Sequence, residues 1–325
     1  MTVGGGSSLS TGAASHNASG RALAPSGPGR AITLLWRRND WLRSYALLSP
    51  TLVVMVVLLG TPLVMLVVLS FWTQTYVALD RSFTLANYAT FLDYAHSPIY
   101  LRLLGRSLLM SATATIAVIL TAYPVAYFLA FRVIRHKLVW LILITIPFWT
   151  SYLLRIFAWK VILGFHGVIN SGLMALGLID KPLEFLLYTP TAVTITLAHA
   201  WAAYAILPIF VSLDKIDRSL LEAAIDLGDG PVRRFLRVTL PLSAPGTIAA
   251  ALLVFIPTVG DYVTPTLVGG NSGLMIGNVI RSLFGNANNA PLGAASSIMM
   301  MLVVTLLVCA LLGGLRYRRN RAGEA

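Results

Sequence analysis

Six stretches of the chain, about 46–71, 107–131, 138–162, 191–212, 244–268 and 292–315, are apolar over roughly 22–26 residues each. A helix rises 1.5 Å per residue, so about 20 such residues cross the hydrocarbon of a bilayer, with tilt absorbing the surplus. Composition agrees: 57% of the 325 residues are hydrophobic and 11% are charged, with a mean hydropathy of +0.79. A soluble domain carries roughly 25% charged residues, so a soluble enzyme is excluded. The expected class is an all-α polytopic membrane protein with six transmembrane helices. Cys309, the single cysteine, lies inside the last run and reads as a small packing residue; no intrachain disulfide is possible.

Residues 1–40 are rich in Gly, Ser and Ala and lack the apolar centre of a cleaved signal peptide, so they read as a disordered cytoplasmic tail. The transmembrane domain is expected over 41–318, with a short cytoplasmic tail at 319–325. Orientation follows from Lys and Arg. With the N-terminus inside, 17 of the 24 basic residues fall in cytoplasmic segments, including Arg37, Arg38, Arg43, Arg132, Arg135, Lys137, Arg233, Arg234, Arg237, Arg316 and Arg318. Arg81, Arg102, Arg106, Lys181 and Arg281 fall in outer loops, and Arg155 and Lys160 at the outer end of the third run. Both termini are therefore expected in the cytoplasm. The net charge of +12 is a topology signal and a contact for anionic membrane lipids, with no nucleic acid implied.

Pro62, Pro124, Pro147, Pro208, Pro257 and Pro265 are spread over five of the six runs. A proline frees a carbonyl inside a helix, which neighbouring helices and local hydroxyls can satisfy in a bundle. Six of them suggest helices that bend around a pathway; simple packing kinks are the alternative.

The loop 213–239 gathers ten charged residues between two apolar runs. Ser219-Leu220-Leu221-Glu222 fits a capping box, and Leu220, Ala223, Ala224 and Leu227 follow at one-face helical spacing. Gly228 stands where a helix ends, and Gly230-Pro231 stops continuation. The two alanines leave a helix slim enough to enter a groove on another protein. A helix lying on the membrane or on its own bundle is the plain alternative.

Glu222-Ala223-Ala224, Gly228 and Leu240-Pro241 resemble the "EAA" signature of membrane subunits of binding-protein-dependent ABC importers. Asp229-Gly230 departs from the small pair usual after that glycine. The resemblance implies that Ser219, Glu222, Ala223, Ala224, Leu227 and Gly228 form a coupling helix. Its partner would be an ATPase subunit dimer that holds ATP and magnesium. It further implies a second homologous permease subunit, an extracytoplasmic solute-binding protein and residence in the bacterial inner membrane. Consistent with this, the chain has no G-x-x-x-x-G-K-[ST], H-E-x-x-H or G-x-S-x-G motif. No cofactor is expected on this chain, and it is not read as an enzyme.

Pro147-Phe148-Trp149-Thr150-Ser151-Tyr152 and Gly260-Asp261-Tyr262-Val263-Thr264-Pro265 resemble the narrower spermidine/putrescine-type permeases. An independent physical argument also favours a cation. Asp261 is the one carboxylate read within a span, and a charge near the bilayer centre costs about 2.5–3.5 kcal/mol on insertion scales, so it should face water or the bundle interior. Trp149, Tyr152, Tyr204 and Tyr262, with Trp159 and Trp201, offer aromatic faces, each worth about 0.5–2 kcal/mol to an ammonium group. The expected substrate path is therefore Asp261 with Trp149, Tyr152, Tyr204 and Tyr262. Two plainer readings stand beside it: Asp261 paired with Arg155 to hold two helices, and the aromatics as an interfacial belt. An importer for another small solute, or an ion-driven secondary transporter, is the competing function.

Overall fold

The computed structural model describes residues 40–75, 78–93, 95–96 and 98–323. The expected N-terminal tail lies outside these residues, except Asp40, which opens the first helix. The chain divides into two units, Met1–Thr61 and Pro62–Ala325. In the first, the described part is helical from Asp40 onward, within α1 (Asp40–Ser70).

Among the described residues of the second unit the regular structure is helical apart from a two-stranded hairpin, β1 (Thr73–Thr75) against β2 (Ala78–Asp80), with Thr73 opposite Asp80. After it come α2 (Ala86–Leu92), α3 (Ile99–Phe131), α4 (Lys137–Thr145), α5 (Tyr152–Ile162) and α6 (Val168–Ala175). Next are α7 (Pro190–Asp214), α8 (Arg218–Asp226), α9 (Pro231–Arg234), α10 (Leu240–Val259), α11 (Ile276–Phe284) and α12 (Ala290–Gly323). Five of the described helical stretches are long and apolar enough to cross a membrane, and a bent pair makes a sixth.

The core is the packing of α3, α7 and α10 on one another. Small side chains set the spacing: Ala122, Ala126, Ala205 and Ala250 are buried between Leu129, Ile209, Leu213 and Val254. Gly246 is the closest approach, since a Cβ there would fall 2.3 Å from Ser212 Cβ and 2.5 Å from the Pro208 carbonyl oxygen. Small residues allow helices in lipid, where no hydrophobic force drives them together, to gain dispersion contact. The buried Tyr123 and Ser243 hydroxyls, 2.7 Å apart, join α3 to α10.

The structure corrects two spans. The third is not a continuous helix over 138–162: it breaks at a 3₁₀ turn, Ile146–Trp149, and the two helical parts meet at 79°. Pro147 sits in that turn, lacks the N–H a helix requires and marks the break. The fifth does not run to 268. Helix α10 ends at Val259, and the chain passes through Gly260 and Asp261 to a π turn, Pro265–Gly269. Cys309 is exposed on this chain, not packed inside it. The last helix runs from Ala290 to Gly323.

Candidate functional site

The two breaks come together. Asp261, 9% exposed, accepts hydrogen bonds on both carboxylate oxygens. Oδ1 takes the Val263 N–H at 2.8 Å and the Thr264 N–H at 3.4 Å; Oδ2 takes the Thr264 hydroxyl at 2.6 Å. Oδ2 also accepts the hydroxyl of Tyr152, the first residue of α5, and that hydroxyl lies 2.8 Å from Thr264 Oγ1. The first N–H groups of a helical segment have no partner within it, and a short acceptor side chain just before them satisfies them locally. Asp261 therefore holds the irregular segment in shape and ties it to the other break.

A cavity of about 360 Å³ opens here, lined by Tyr152, Arg155, Ala200, Trp201, Tyr204, Pro257, Gly260, Asp261 and Tyr262. Of the expected path residues, Asp261, Tyr152, Tyr204 and Tyr262 share this wall. Trp149 does not: it lies in the 3₁₀ turn, 81% exposed, because the break at Thr150 resets which face each residue presents. Trp159 packs on His199, ring centroids 5.2 Å apart, and Phe148 covers His199 at 5.7 Å. Trp201 lines the cavity edge-on to Tyr152 at 6.3 Å and tilted to Tyr204 at 5.2 Å.

Arg155 is not paired with Asp261. Its Nη atoms donate to the Ala200 and Phe148 carbonyl oxygens at 3.0 and 3.3 Å, its Cζ lies 5.2 Å from the Phe148 ring centroid, and its buried Nε has no partner among the described residues. Sequence reasoning missed Thr264 as the partner of Asp261. The Asp-x-x-Thr spacing, one that brings a hydroxyl back to a carboxylate, was the available signal. A larger groove of about 750 Å³ lies between α7 and α10, walled by residues such as Val211, Leu242 and Ala249, with Asp217 as its one carboxylate.

In the loop after α7, helix α8 is capped differently from the expectation. The N-cap is Asp217, whose Oδ1 accepts the Ser219 N–H at 3.0 Å; Ser219 is already helical, so the Ser219/Glu222 capping box does not form. That backbone bond holds the Asp217 carboxyl below its ordinary pKa. At the other end, Gly228 takes φ +84°, its N–H bonds Ile225 O at 2.8 Å, and the Asp229 N–H bonds Ala224 O at 2.9 Å. This is a Schellman ending, which needs a residue free to adopt the left-handed region. Ala224 is turned inward, while Ala223, Leu220 and Leu227 are exposed, Leu227 at 86%. Asp229 lies near Arg233 and Arg237 at 3.8 and 3.7 Å.

A bundle of small-residue crossings, two facing helix breaks around a cavity, and a slim helix held out on a charged loop together describe a membrane permease. The chain belongs to the binding-protein-dependent transport system inner membrane components, the permeases of ABC importers, whose family pattern matches residues 46–320. It is 39% identical over 248 residues to the spermidine/putrescine transport system permease protein PotB of Escherichia coli, covering 76% of this chain and 88% of that protein. It is 30% identical over 299 residues to the inner membrane ABC transporter permease protein YdcU of the same organism, covering 86% and 92%. A bacterial ABC transporter involved in the import of the acidic polysaccharide alginate shares the fold. Its TM-score is 0.66 at 18% identity, over 89% of this chain and 99% of that one.

Proposed function

We propose that the chain lines the path by which an ABC importer carries a small cationic solute, in particular a linear polyamine such as putrescine or spermidine. The carrying observation is the Asp261 carboxylate at a break between apolar helices, in one cavity wall with Tyr152, Trp201, Tyr204 and Tyr262. A carboxylate attracts an ammonium group by charge, and aromatic faces add weak contacts of about 0.5–2 kcal/mol that let a substrate move on. The identity to a spermidine/putrescine permease supports the same solute class.

In this reading α8 is the coupling helix. Its exposed Leu220, Ala223 and Leu227 dock in a cleft of an ATPase subunit, two copies of which hold ATP and magnesium. Ser219 and Glu222 lie on the same short helix, and Gly228 ends it. A second, homologous permease subunit completes the path, and an extracytoplasmic binding protein delivers the solute. The basic residues of the loops support a cytoplasmic position for both termini, with tails on either side of the 41–318 domain. ATP-driven closure of the ATPase pair pushes on α8 and switches the bundle between outward- and inward-facing forms.

A second role for Asp261 is favoured by its own bonds: with both oxygens engaged inside 261–264 and by Tyr152, it also acts as a brace. The deciding experiment reconstitutes the complete importer with its binding protein and measures ATP-dependent uptake of a panel of amines, neutral solutes and anions. Uptake confined to amines supports the path; uptake of an anionic or neutral solute in their place rejects it.

A further inference from the structure

The residue beside Asp261 already carries a cation on its ring. The Arg281 Cζ lies 5.1 Å from the centroid of Tyr262, and among the described residues Arg281 forms no ion pair. Tyr262 lines the Asp261 cavity, whereas Arg281 lines a second cavity of about 640 Å³ with Thr266, Asn278 and Ser282. The stacked pair joins a wall residue of one cavity to a wall residue of the other.

The stack is built by the backbone. Asn278, on the same helix as Arg281, donates to the Tyr262 carbonyl oxygen at 3.0 Å and to Thr266 Oγ1 at 2.8 Å, and accepts the Met275 N–H at 3.0 Å. Gly277 allows the approach, because a Cβ there would lie 2.6 Å from the Gly260 carbonyl oxygen. These contacts fix α11 against the 260–266 segment and so fix where Arg281 can reach.

A guanidinium stays charged at any physiological pH and stacks well on aromatic faces. An ammonium group that reaches Tyr262 meets a like charge on the ring. We propose that Arg281 is a resident cation that holds the Tyr262 face until a substrate amine displaces it, which lowers the affinity for diamines relative to monoamines and so eases diamine release. A diamine held at Asp261 by one ammonium needs the ring for the other and must displace Arg281; a monoamine held at Asp261 displaces nothing. This inference rests on the cationic-solute reading above.

The test is equilibrium binding of labelled putrescine and of butylamine to the assembled transporter in nanodiscs, without binding protein. Arg281→Gln is expected to tighten putrescine binding roughly three- to tenfold while changing butylamine less than about twofold, and Arg281→Lys to behave as wild type. In a Tyr262→Leu background the Arg281→Gln effect should vanish. An unchanged ratio of the two affinities, or equal weakening of both, overturns the assignment; if Asp261→Asn meanwhile weakens putrescine binding, the cationic path still stands. Wild-type putrescine binding in Asp261→Asn instead removes the cationic path, and the Arg281 role with it.

Discussion

Tyr152 donates its hydroxyl to Asp261, joining the start of the helix after one break to the irregular segment that follows another helix 109 residues later. Thr264 donates its hydroxyl to the same carboxylate oxygen and lies 2.8 Å from the Tyr152 oxygen. One hydroxyl thus couples two places where the bundle departs from regular helix, at the wall of the cavity. Helices that end or bend inside a bundle leave backbone groups that must be satisfied there, and here the same side chains that satisfy them face the cavity.

Tyr152→Phe removes the hydroxyl and keeps the ring. A hydrogen bond to a charged group contributes about 1.5–3 kcal/mol, so the purified transporter should melt several degrees lower and uptake should fall severalfold. Ring packing on Trp201, 6.3 Å away, is retained in this variant. Thermal melting and uptake measured on the same preparation check it; unchanged values in both remove the coupling role.

Gly228 at φ +84° has open space around its Cα, so only backbone strain opposes a side chain. Gly228→Ala should cost about 1–2 kcal/mol locally and uncouple transport from ATP hydrolysis. Gly228→Asn, tolerant of the left-handed region, should recover most of the loss. ATPase stimulation by loaded binding protein separates the two variants.

Asp217 has its pKa depressed by the Ser219 backbone N–H. Its folded value lies below the unfolded one of about 3.9, so its contribution is complete above that pH and fades as pH falls through the folded value. Amide protection at Ser219 should therefore hold from neutral pH down to about 4 and drop below. Asp217→Asn, a neutral cap, should flatten that profile, and Asp217→Ala should lower protection throughout. Hydrogen exchange on the 213–239 loop measures all three.

Gly246→Ala should separate α7 from α10, because the added methyl meets Ser212 Cβ and the Pro208 carbonyl oxygen. Overpacking of this kind costs about 1–3 kcal/mol. Lower melting temperature is expected, with Ser212→Gly in the same chain recovering part of it.

The spans were legible because apolar length is a property of sequence alone. The break at 146–149 was not: Ile146, Phe148 and Trp149 are as apolar as the helices on either side, and hydropathy is blind to backbone direction. That is why Trp149 was read onto the same path as Tyr152, although the turn between them separates their faces. Pro147 and the Gly260-Asp261 pair were the local signals of interruption. At α8, Asp217 and Ser219 both suit an N-cap, and only the backbone entering the helix decides between them. Asp261 was legible as an unusual charge, but its partner was not, since Tyr152 reaches it across 109 positions.

The most direct measurement is ATP-dependent putrescine uptake by the reconstituted importer carrying Asp261→Asn, with melting temperature and ATPase activity recorded alongside. The amide can replace hydrogen bonds within 261–264 but supplies no charge. A cationic path predicts at least about tenfold slower uptake, equivalent to about 1.4 kcal/mol, in a transporter that still assembles and hydrolyses ATP. Wild-type uptake by that variant would contradict it and leave Asp261 as a brace alone.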